Sequence, residues 1–481
     1  MRANLVFSVC LVSAASIAGC VASSDDAGEI ESIDDAAQAL VCSEASGTDV
    51  QRSLVITDPE ILSRFSFERT MDQIRTSAGV RASETSAGIF QQWMRTFGSS
   101  DAAGDCNDSR IDREGYGLAC PRGPELKLAS VDPFPSTSLV KFNPVGLFNR
   151  FDLAPSNGAH CGEFRIVYAM STADPNISGR AFIIFEGALA NPTPEQGVNA
   201  CLPVAQFWQD LSNDDDVASR AYKLEQFYFT GYAVPGFGPI VQASSYGLAT
   251  NKVPGPSIPG QIRTNFFVDF AEWHLREFKL RRRCSDTADA STCALFVDHV
   301  TVKTNPADEV FEGTHENSAA FESAFIRQVG NLSAQKANDI KMKTGDLYNE
   351  FESVSMVDDV VYANTAGPVI RQKIADRLVA RNSPLTVDNI LNRATTQTCA
   401  GCHLLSDGQD LGGGVTWPNS LFFVQIDEAS QLSEALTGTF LPGRKEVLEK
   451  FINDRCDGTA PAASLVDDEL TIGGSPTGSP N

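Results

Sequence analysis

The spacing of apolar residues changes several times along this chain, and each change predicts a different element. From Asp58-Pro59, apolar Ile61, Leu62, Phe65, Phe67 and Ile74 recur near helical spacing, with Asp58 placed to cap and Pro59 suited to the first helical position. A second helix is predicted over 86–97, with Ile89, Phe90, Trp93 and Met94 inward. Residues 101–137 read as loop, and 139–153 (LVKFNPVGLFNRFDL) as a dense run of Phe and Leu. The period then shortens. Residues 163–169 and 180–189 alternate or run apolar, rich in β-branched and aromatic side chains, and predict an antiparallel hairpin across 171–178.

Two helices are expected at 203–212 and 215–229, followed by a proline- and glycine-rich irregular crossing over 234–260. Strands return at 261–269, 273–281 and 294–303, and helical spacing at 319–329, 334–343, 368–380, 385–398 and 444–451. Together these predict an α+β body: a mixed, largely antiparallel sheet with helices packed on it, followed by a small all-α segment.

The first residues change the picture of compartment. Arg2, an apolar run from Leu5 to Ile17 and small residues after it form an export signal too short to span a bilayer. Asp25, Asp26, Glu29, Glu31, Asp34 and Asp35 follow with no basic residue between them and read as a solvated acidic tether. The formal charge of −23 argues against nucleic acid as a partner, because phosphates demand a basic face. The remaining acidity keeps the body soluble and suits the steering of a basic redox partner, a well-solvated surface being the commoner reading; the expected partner is a redox partner protein or a small molecule.

Ile17-Ala18-Gly19-Cys20 resembles the lipobox of bacterial lipoproteins. The resemblance implies that Cys20 is the first mature residue and is acylated, and that with Val21 after it the protein sorts to the outer membrane, held by its lipid anchor alone. Ordinary cleavage near the same place, releasing a soluble protein, is the alternative.

Twelve cysteines fit an oxidising compartment. Cys10 leaves with the signal, and Cys20, Cys399 and Cys402 have other expected roles. The remaining eight are paired as Cys106/Cys120, Cys284/Cys293, Cys161/Cys201 and Cys42/Cys456, the first two because they close short polar loops.

The strongest chemical signal is Thr398-Cys399-Ala400-Gly401-Cys402-His403. Two thiols about one helical turn apart can each form a thioether to a porphyrin vinyl group, and the adjacent imidazole then lies beneath the iron. A Cys399–Cys402 disulfide with a histidine beside it, or a metal site, are the other readings of the same residues. The surroundings do not form the strand-to-helix turn of a thioredoxin-like motif, and no second CxxC or HxxxH supplies further metal ligands.

With a helix before the motif, an irregular stretch after it and a closing helix, residues 384–456 resemble a class I-like monohaem cytochrome c domain. The resemblance implies one haem c, attached at Cys399 and Cys402 with His403 as proximal ligand. It departs in one respect: no methionine follows Met356. The sixth ligand is therefore sought among Met342, Met356, His160, His274, His299 and His315, with His299 and His274 placed in strands where a structural imidazole is the simpler reading.

The stretches FNRFDLAP (148–155), HCGEFRIVYA (160–169) and GQIRTNFF (260–267) resemble a group of exported bacterial proteins without an assigned activity. The expected organisation is a signal peptide (1–19), acidic tether (20–45), α+β body (46–312), helical connector (313–383), cytochrome c-like haem segment (384–456) and disordered tail (457–481). The expected function is electron transfer by a membrane-anchored haem protein. A haem-dependent redox enzyme with its substrate site in the body, or a haem-free binding or structural lipoprotein, are the alternatives. GxSxG, HExxH and P-loop signatures are all missing from the sequence.

Overall fold

The structure, a computed structural model, describes residues 45–98, 121–255, 258–269, 272–300, 308–311, 317–344, 361–421 and 425–456, of which the side chains of 267–274 are not described. The predicted signal, nearly all of the tether, the tail, and Cys20, Cys42, Cys106, Cys120, His315 and Met356 lie outside these residues.

The chain builds a mostly antiparallel sheet of eight strands: β1 (Val55–Ile56), β2 (Val140–Arg150), β3 (His160–Thr172), β4 (Arg180–Ala190), β5 (Ala249–Thr250), β6 (Gln261–Asp269), β7 (Glu272–Cys284) and β8 (Cys293–Val300). The order is β1-β2-β3-β4-β6-β7-β5, with β8 also paired to β7. Among the described residues only the short β5–β7 pairing is parallel. The body is therefore α+β, as the alternation predicted.

Helices cover one face: α1 (Val50–Ser53), α2 (Pro59–Leu62), α3 (Phe67–Ser77), α4 (Ser86–Arg95), α5 (Gly123–Leu128), α6 (Leu202–Ser212) and α7 (Val217–Glu225) precede or interrupt the strands. Aromatic side chains join the layers. Phe67 packs against Tyr168 and Phe185, Trp93 meets Phe278 edge-on, and Phe164 stacks on Trp208 with ring centroids 5.4 Å apart.

Three local readings need correction. The helix predicted from Pro59 is two helices, because Ser66 accepts a hydrogen bond from Arg69 N–H and starts α3 afresh. The apolar run at 139–153 contains strand β2, hidden in the sequence by Pro144 and Gly146, which sit at a bulge where the register with β3 shifts. Residues 334–343 form only a 3-10 turn, Ala337–Asp339. There the buried Arg393 guanidinium donates to the carbonyls of Leu332 and Ala334, acceptors that a continuing helix would need for its own N–H groups.

After α8 (Ser318–Arg327), α9 (Val329–Leu332), α10 (Tyr362–Thr365) and α11 (Pro368–Ala380) come α12 (Val387–Thr395) and finally α13 (Leu441–Cys456). Two apolar clusters divide these elements. Val310, Phe325, Tyr362, Ile374, Ile390 and Trp417 belong to a second cluster, whereas Leu448, Phe451 and Ile452 of α13 join the core of the body. Phe451 meets Phe151 with ring centroids 4.7 Å apart, and Asn453 exchanges hydrogen bonds with the backbone of Ala45. The last helix is longer than predicted: a wide turn at Leu436–Phe440 precedes Pro442 and accommodates its missing N–H. Among the described residues no helix is long and apolar enough to cross a membrane.

Disulfides join Cys161 to Cys201 and Cys284 to Cys293, and Cys456 is also disulfide-bonded.

Candidate functional site

The cysteine–histidine motif occupies a turn of its own. Helix α12 opens with a capping box between Thr386 and Asn389 and stops at Thr395 rather than running into Cys399. Thr398 restarts the chain. Its hydroxyl accepts from Gly401 N–H and donates to the Thr395 carbonyl, which caps the short helical turn carrying Cys399 to Leu405. Gly401 is required here, because a Cβ would lie 1.7 Å from the Thr395 carbonyl oxygen. On the far side, Trp417 Nε1 donates to the Cys402 carbonyl and the Ser420 hydroxyl to the His403 carbonyl. The turn is therefore fixed at both ends by side-chain hydrogen bonds.

The neighbouring glycine loop also presses on α12. At Gly412, with φ of +74°, an added Cβ would lie 2.4 Å from Asn389 Oδ1. Arg393, fully buried, donates to the carbonyls of Leu411 and Gly412 as well as to those of Leu332 and Ala334, at 2.7–2.9 Å. One guanidinium thus ties two segments to the helix that leads to the motif.

Cys399 and His403 line a cavity of about 360 Å³ whose opposite wall is the face of the sheet turned away from α3, α4, α6 and α7. That volume lies within the usual span of ligand pockets, about 300–1,000 Å³. Phe148, Val167, Phe182, Ile184 and Leu275 give the wall an apolar floor, and Ile426 and Phe440 close one side. Arg150, Arg165, Arg263, Glu186, Asn265, Gln425 and Arg444 supply its polar groups. The strand registers explain the grouping: Phe148 lies opposite Arg165, Arg165 opposite Glu186, Val167 opposite Ile184, and Ile184 opposite Arg263, so all share one face.

Three of the four arginines are committed to carboxylates. Arg150 grips Asp152 through two hydrogen bonds of 2.9 Å, Arg165 contacts Glu163 at 2.9 Å and Glu186 at 3.0 Å, and Arg263 contacts Glu277 at 2.9 Å. Burial alone would raise the Glu186 carboxyl, but Arg165 and Arg263 hold it below its ordinary value. Burial also opposes ionisation of Asp152, which Arg150 nevertheless brings down to about 2.

On the motif side, burial pushes the His403 imidazole down to about 4, so its ring is neutral near pH 7, the form in which an imidazole ligates metal. Burial, and then the proximity of Cys399, push the Cys402 thiol up to about 12. Cys399 and Cys402 both carry thiols rather than sharing a bridge.

These residues suit a porphyrin in their chemistry: an imidazole and a thiol on one wall, an apolar floor for a flat ring, and guanidinium groups for ring carboxylates. Cys402 is the exception, since it packs toward the second apolar cluster and not among the cavity residues.

Of the candidate sixth ligands whose side chains are described, Met342, His160 and His299 do not line the cavity. Met342 is buried in the second cluster, and His299 lies between Phe97 and Phe278 under the helices. His160 accepts from Gly162 N–H at 3.2 Å through Nδ1, and burial lowers its pKa. The register pairs His274 with Phe266, but its side chain is outside those described. Among the described residues no group of three or more His, Cys, Asp or Glu is arranged to hold a metal ion.

Sequence reading missed the sheet side of the cavity. Its signal was available: Arg165 and Glu186 are charges set among apolar neighbours in their strands, at positions that alternation turns to a single face. Comparison with known protein families, with curated proteins and with solved structures finds no match to this chain.

Proposed function

We propose that the protein is an exported, lipid-anchored c-type haem protein that transfers electrons, with haem attached at Cys399 and Cys402 and His403 as its proximal ligand. In this reading residues 384–456 act as a cytochrome c-like segment that shares its cavity with the α+β body. The observation that carries it is the presence of Cys399 and His403 on one wall of a cavity whose other wall is apolar with arginines around it. The bound group supplies one-electron redox chemistry. His403 offers a neutral ring nitrogen, Thr398, Trp417 and Ser420 fix the turn that aims it, and Phe148, Phe182 and Ile184 keep water from the floor. Cys399 would hold the group from the cavity wall, and Cys402 would hold it only from a side-chain orientation other than the one packed against the second cluster.

A second reading, a haem-dependent redox enzyme, is favoured by one observation: Met342, His160 and His299 do not line the cavity. A haem iron held by His403 and reached by none of these side chains would be open to small molecules.

The test is a pyridine haemochrome spectrum on protein co-expressed with a haem-maturation system. One covalently held haem is expected in the wild type and none in a Cys399→Ala, Cys402→Ala double variant. Colourless wild-type protein would sink both readings and leave a haem-free scaffold. A Soret shift with carbon monoxide or cyanide selects the enzyme, and an unchanged spectrum the electron carrier. Cys20→Ala is expected to move the protein from the membrane to the soluble fraction.

A further inference from the structure

Arg444 differs from the other arginines of the cavity. It rises from α13, and among the described residues its guanidinium has no ion pair or hydrogen bond. Asp152, whose charge acts on it, is engaged by Arg150, and the cavity carboxylate Glu186 by Arg165 and Gln261. Burial, and then the charge of Arg150, act against its ionised form, and Asp152 only partly offsets them. A partly buried guanidinium with five donors and no acceptor is a costly arrangement unless an anion completes it.

The surroundings narrow the class of anion. A guanidinium fork matches a carboxylate through two parallel hydrogen bonds. The same cavity is lined by Phe148, Val167, Phe182 and Phe440, which a hydrated inorganic ion would leave in contact with water. We infer that Arg444 receives the carboxylate of an occupant whose remaining body is apolar and lies on the Phe148–Phe182 floor. The carboxylate has two sources: the porphyrin itself, or a small diffusible organic acid. The inference concerns the cavity of the proposed function but stands without the haem.

The experiment uses the full-length chain made without haem maturation, with melting followed by circular dichroism at constant ionic strength. Benzoate at tens of millimolar is the probe, with benzamide as its uncharged isostere and sulfate as an anion lacking an apolar body. Benzoate is expected to raise Tm by about 2 °C, and benzamide and sulfate to do far less. Arg444→Gln should lose the benzoate shift, while Arg444→Lys, which keeps the charge without the fork, should retain part of it. Repeating the titration on haem-loaded protein separates the sources: a shift that disappears assigns the site to a porphyrin carboxylate, and one that persists assigns it to a diffusible acid. An absent benzoate shift, one equal in Arg444→Gln, or one matched by benzamide overturns the inference. The haemochrome spectrum does not enter this result, so each proposal fails on its own measurement.

Discussion

His299 provides a quantitative test of the body. It is 2 % exposed, packed 4.3 Å from the Phe278 ring and 5.2 Å from that of Phe97, and among the described residues neither ring nitrogen has a hydrogen-bond partner. Burial, and then the charge of Arg276, lower its pKa from 6.5 to about 3. The unfolded chain therefore binds a proton near pH 6.5 that the folded protein refuses until about pH 3. Stability from this group is complete above pH 6.5 and is lost as pH falls toward 3. At pH 4 the linkage amounts to about 3 kcal/mol, from about 1.4 kcal/mol for each pH unit below the unfolded value.

His299→Leu removes the titration at similar volume, and the two unmet ring nitrogens with it. Urea unfolding of both proteins at pH 7.5 and pH 4 is the assay. The variant is expected to gain about 3 kcal/mol relative to wild type on moving to the lower pH. Parallel stability profiles between pH 7 and pH 4 would refute the assignment of His299 as a neutral, unsolvated imidazole.

Arg393→Met leaves four carbonyls without their donor, two of them in fully buried bonds, and should cost about 3–5 kcal/mol in urea unfolding; a loss under 1 kcal/mol would show that water replaces the guanidinium. Gly401→Ala forces a methyl against the Thr395 carbonyl and should destabilise by about 1–3 kcal/mol and lower the haem yield per chain; unchanged yield with unchanged Tm would contradict the packing of the motif turn. Opening the Cys161–Cys201 link in a double Ser variant releases a 40-residue separation and should cost about 4 kcal/mol by loop entropy, read by denaturation of the oxidised proteins.

β3, β4, β6, β7 and β8 were legible from runs of apolar, β-branched and aromatic residues, whereas the two-residue β5 fell inside the stretch read as an irregular crossing, and α4, α6 and α11 were legible because their apolar residues repeat at helical spacing. β2 was illegible for a physical reason: Pro144 and Gly146 argue against a strand, and only the bulge opposite β3 makes them acceptable. The missing helix at 334–343 was decided from a distance by Arg393, a competitor that no local window contains. The motif turn could be found from six consecutive residues. The wall facing it could not, since Arg165, Glu186, Arg263 and Arg444 become neighbours only through strand registry and the docking of the final helix.

That docking has a consequence for assembly. Phe148 and Arg444 face the same cavity from opposite halves of the chain, and α13 is fastened beside Ala45 and Thr48 near the other end. During synthesis the strands that form the floor are complete while the residues that form the last side are still to come. Until α13 settles, the enclosure stands open on that flank, and anything the size of a porphyrin has its widest access then.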